Sequence, residues 1–74
     1  LNDYDSGDDE ATIAIKARLV DLRHEHFDLD TAVNALLASP SPDMIQIARM
    51  KKRKLALRDQ IIAMENQLTP DIIA

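Results

Sequence analysis

The 74-residue chain contains no cysteine, which removes disulfides and thiolate zinc sites as staples for a domain this small and is compatible with a reducing compartment. It has no tryptophan, one glycine and only two aromatic residues, Tyr4 and Phe27, which argues against a β-sandwich and against a platform on which bases stack. No apolar run approaches the length that crosses a bilayer, and no basic segment precedes an apolar one as in a secretory signal. A soluble cytoplasmic protein with no membrane partner is the expectation. The chain begins at Leu1 rather than at a methionine, which leaves room for native residues ahead of it. Also missing are a Gly-rich phosphate loop and a serine nucleophile flanked by a plausible base, so the sequence predicts no enzyme, no cofactor and no small-molecule substrate.

What is present suits long helices: much Ala, Leu, Ile, Asp, Lys and Arg. One domain of this length lacks a generous core of its own, and with no staple available a second copy is the expected source of further buried surface. Residues 1 to 10 carry five acidic side chains and no basic one, too little apolar area to offset their ordering entropy, so residues 1–9 are expected to be a disordered acidic arm. Asp8, Asp9 or Ser6 is expected to cap a first helix starting near Glu10. That helix should run to Ala38, where Ser39 and Pro40 end it. Ser41 then offers an N-cap oxygen, Pro42 fits the first helical position, and Asp43 adds negative charge to the first turn. The reading is helix 10–38, turn 39–41, helix 42–68 ended by Thr69 and Pro70, and a tail over 69–74.

Each predicted helix carries one apolar seam. In the first it is Ile15, Leu19, Leu22, His26, Leu29, Val33 and Leu36; in the second, Ile47, Met50, Lys54, Leu57, Ile61, Met64 and Leu68. Steps of three and four sustained in this way are the coiled-coil pattern, and a short link makes the helices antiparallel neighbours. Opposing residue numbers in an antiparallel pair add to a constant, and here every pair, from Leu36 with Ile47 to Ile15 with Leu68, adds to 83. Two stripes that mirror each other through one turn predict an all-α, two-helix antiparallel coiled-coil hairpin.

A second stripe flanks the seam. With Leu19, His26 and Val33 at position a, Ile13, Val20 and Phe27 fall at position b, as do Ala48, Leu55 and Ile62 of the second helix. The b positions of an antiparallel pair share one side, so these six residues are expected to form an apolar band that the hairpin alone cannot bury. Self-association into a four-helix dimer is the preferred expectation, with a helical segment of another protein as the alternative occupant.

The chemically suggestive residues read mostly as structural. His24 and His26 point far apart around a helix, and His24 with Asp28 makes too few ligands, so no metal site is expected. His26 occupies a seam position and is expected to fix register, as is Lys54, whose stem covers the seam while its ammonium reaches Asp30. Lys51 and Arg58 lie within possible reach of the same carboxylate. The basic residues Lys51, Lys52, Arg53 and Arg58 would have to carry an alternative function in nucleic-acid binding. They point in several directions, lack interleaved aromatics and sit in a chain of net charge −4.

Residues His26, Leu29, Asp30 and Val33, followed by Asp43, Ile47, Met50, Lys51, Lys52, Lys54, Leu55, Leu57, Arg58, Asp59 and Ile61, resemble the YdcH-like family of small bacterial proteins. That family's pattern is a His then Leu-Asp in the first helix and a Lys-rich Leu-x-Leu-Lys-Asp-x-Ile stretch in the second. Met50 here replaces the usual leucine and Arg58 the usual lysine. The resemblance spans about residues 19 to 62 and implies a short helical hairpin with no settled biochemical activity. Asp59, within the matched stretch, falls on an outer position that hairpin closure does not need, which points to an intermolecular contact. The sequence as a whole predicts a small, non-enzymatic interaction or scaffold module.

Overall fold

The computed structural model describes residues 9–68 as two helices, α1 (Glu10–Leu37) and α2 (Met44–Leu68), packed along one another. The expected acidic arm, apart from Asp9, and the expected tail lie outside the described residues. Asp9 caps α1: its backbone is extended, and its Oδ1 accepts from the Thr12 amide at 2.8 Å. That hydrogen bond, and a second with the Thr12 side chain, hold the Asp9 carboxyl below its ordinary pKa. Glu10 adds a second negative charge to the positive end of the helix dipole. At the far end the Ala38 amide donates to the Asn34 carbonyl and the Ser39 amide to the Leu36 carbonyl, both at 3.1 Å. The second bond spans three residues instead of four, which tightens the last turn before Pro40 prevents continuation.

The second helix starts two residues later than expected. Ser41 and Pro42 stay in the connection, and Asp43 is the cap: its Oδ1 accepts from the Ile45 and Gln46 amides, each at 3.1 Å, while its carbonyl receives the Ile47 amide at 3.0 Å. One carboxylate oxygen thus satisfies two amides that have no partner within the helix, and does so with a negative charge at the positive end of the dipole. The Ser41 hydroxyl offers no such charge. Ser39 instead closes the turn, its Oγ accepting from the Ser41 amide at 3.4 Å.

All fourteen seam residues are buried or partly buried, and five of them, Leu19, Leu22, Val33, Ile47 and Leu57, are almost wholly excluded from solvent. Ion pairs cross from helix to helix, among them Arg23 with Glu65, Glu25 with Arg53, and Asp30 with Lys54. The first joins two e positions and the second two g positions, as an antiparallel register adding to 83 requires. A slip of one heptad would face Arg23 with Arg58 and Glu25 with Gln46. The pairs therefore discriminate among registers even where each contributes little to stability. Neither helix is long and apolar enough to cross a membrane.

Candidate docking face

At about 100° per residue, position e lies beside a on the helix surface with b beyond it, while g lies beside d with c beyond. The ion pairs divide the hairpin accordingly into two flanks. Arg23 to Glu65 (2.6 Å) and Lys54 to Asp30 (2.7 Å) lie on the e and b flank, and Arg53 to Glu25 (3.1 Å) lies on the opposite one.

The band expected from the sequence occupies the first flank. Ile13, Val20, Phe27, Leu55 and Ile62 are between 44% and 67% exposed, and Ala48 is exposed as well. The arrangement differs from a continuous apolar strip in one respect. Position e stands between b and the seam on both helices, so the six residues form two rails, one per helix, with the e residues running between them. From α1 that central row has Lys16, Arg23, Asp30 and Leu37; from α2, Met44, Lys51, Arg58 and Glu65. Charge dominates the middle and open end. At the turn end Leu37 and Met44, 44% and 61% exposed, make the row apolar and join it to the rails. Neither residue was singled out from the sequence, although their shared position e was readable from the same heptad count.

At mid-height the flank opens into a groove of about 350 Å³ lined by His26, Lys51, Lys54, Leu55 and Arg58. His26 and Lys54 are partly buried at the seam, as expected for polar residues that punctuate it. Lys54 donates to Asp30, and that hydrogen bond, with the ammonium charge, holds the Asp30 carboxyl below its ordinary pKa. Lys51 and Arg58, considered from the sequence as further partners for Asp30, pair with no carboxylate among the described residues. The four basic residues weighed for nucleic acid are dispersed. Lys51 and Arg58 stand in the groove, Lys52 is at the outer position f, and Arg53 is on the far flank, held by Glu25. Asp59, also at f, is exposed and away from the seam.

The family model described as Protein of unknown function (DUF465) matches residues 19–65, from the first fully buried leucine to the last ion-paired residue of α2. No curated protein and no solved structure matches the chain.

Proposed function

The chain belongs to DUF465, the YdcH-like family of small helical proteins of unknown function, and from that premise we propose that it is a non-enzymatic interaction module whose docking face is the e and b flank. The observation that carries this reading is the balance of apolar side chains. Among the described residues five are fully buried hydrophobics, whereas eight large ones are exposed, and seven of those eight stand at positions b and e on this one flank. A hairpin so built satisfies its seam and leaves a second apolar surface for another helix.

A second copy is one occupant of that surface, and it would report itself as a doubled mass. Closing two such flanks face to face would, however, enclose both charged central rows, and the desolvation of those charges opposes a tight four-helix core. A photo-crosslinkable residue placed at Leu55 or Val20 in the source cell tests the reading, with exposed His24 on the outer face as control. Position-specific adducts from 55 and 20, absent from 24, support it, and equal labelling at all three sites or none at any sinks it. Sedimentation equilibrium on the wild type and Leu55→Asp assigns the occupant: a mass of twice 8.3 kDa that the substitution halves identifies a second copy.

A further inference from the structure

Given the docking flank proposed above, on which this inference rests, we propose that the mid-height groove receives an acidic amphipathic helix of another protein. Its key is two carboxylates one heptad apart with an apolar side chain between them. Three cations project into the groove from successive turns of α2, at Lys51, Lys54 and Arg58. Asp30 holds Lys54 at 2.7 Å, so that charge is already answered. Lys51 and Arg58 have no carboxylate partner among the described residues, and their separation of seven residues is about 10 Å along the axis. Leu55 lies between them, 59% exposed, and Phe27, 67% exposed, stands at the same height on the rail across the groove. Cation, apolar contact and cation at this spacing match a helix bearing acid, apolar residue and acid at i, i+3 or i+4, and i+7. Phosphates along a nucleic-acid backbone would answer the cations and leave both apolar side chains facing water.

Charge complementarity also separates this occupant from a second copy. The same face of another hairpin, docked antiparallel so that the two copies of α2 meet at mid-height, brings Lys51, Lys54 and Arg58 against their own equivalents, and like charges across an interface are repulsive. Elsewhere among the described residues, the one pair of carboxylates seven apart on a helix is Asp21 and Asp28, which brackets His24 and Glu25 with no apolar residue at the required steps.

The test titrates the full chain into a labelled helical peptide carrying Glu at i and i+7 and Leu at i+4, followed by fluorescence anisotropy. The controls are the same peptide with Gln for Glu, the same peptide with Lys for Glu, and a short DNA duplex. The acidic peptide should bind at least about tenfold more tightly than the Gln control and lose about tenfold on Lys51→Glu with Arg58→Glu, which corresponds to two partly exposed ion pairs. The doubly reversed variant should in turn prefer the Lys peptide, a swap that mere misfolding would not produce. Equal binding of the Glu and Gln peptides, indifference to the double reversal, or tighter binding of the duplex than of the peptide would each overturn the proposal. Crosslinks from position 55 without preference for the acidic peptide would retain the docking flank and refute its acidic partner. Loss of both refutes the flank itself.

Discussion

Leu57 and Leu55 stand two residues apart on the same helix and should respond in opposite ways to truncation. Leu57 is wholly buried at a seam position opposite His26, and Leu55 is 59% exposed on the rail. Leu→Ala in a well-packed core costs about 2–5 kcal/mol, made up of lost transfer energy and the cavity left behind. A two-helix seam is a single layer with solvent on both flanks, so the site can collapse and admit water more readily than a deep core. The lower part of that range, about 2–3 kcal/mol, is therefore expected for Leu57→Ala. For a domain of this size each kcal/mol moves the midpoint by about 4–8 °C, so Tm should fall by roughly 10–20 °C. Leu55→Ala should stay within about 0.5 kcal/mol of wild type. Thermal unfolding followed by circular dichroism measures both, at two protein concentrations because association would raise Tm with concentration. Helical signal already lost at 25 °C in Leu57→Ala would agree with the larger cost. A Leu57→Ala cost below about 1 kcal/mol, or equal costs for the two variants at a concentration where the protein is monomeric, would refute the assignment of seam and rail.

The cap of α2 separates two similar variants: Asp43→Ala should destabilise by about 1 kcal/mol in denaturant unfolding, whereas Ser41→Ala should change little, and the reverse order would restore Ser41 as the cap. Asp30 and Asp9 both have folded-state pKa values depressed below the unfolded value. Their contribution to stability is therefore present above the ordinary carboxylate range and lost as pH falls through the folded-state values. Stability measured downward from pH 5 should decline, and Asp30→Asn should flatten part of that decline; an identical profile in the variant would contradict the role assigned to Lys54. Leu55→Asp should leave the helical content unchanged while abolishing crosslinks from the neighbouring Val20 and Ile62 rails, and persistence of those adducts would remove the rails from the interface.

The seam was legible from the chain because side chains at steps of three and four meet on one face of any α-helix, wherever that helix is placed. Leu19, Leu22, Val33, Ile47 and Leu57 are buried for that reason, and the partner of Lys54 followed from the mirrored register. The cap of α2 was harder to read. Ser41, Pro42 and Asp43 all carry acceptable start signals, and the choice among them rests on which oxygen reaches two amides at once. The pairs Arg23 with Glu65 and Glu25 with Arg53 lie 42 and 28 residues apart, and only the letters e and g, applied across both helices together, connect them.

Sequence periodicity alone thus determined that two helices close on a shared apolar seam, and in what register, because hydrophobic spacing and the antiparallel return of a short link leave one alignment that buries every rung. The form of the proposed docking flank was decided by the tertiary arrangement. An apolar residue at position b belongs to one helix, and whether it joins its counterpart across the hairpin depends on what stands between them. Here that is a charged row from both helices, which divides the band into two rails and leaves Lys51 and Arg58 open on either side of Leu55.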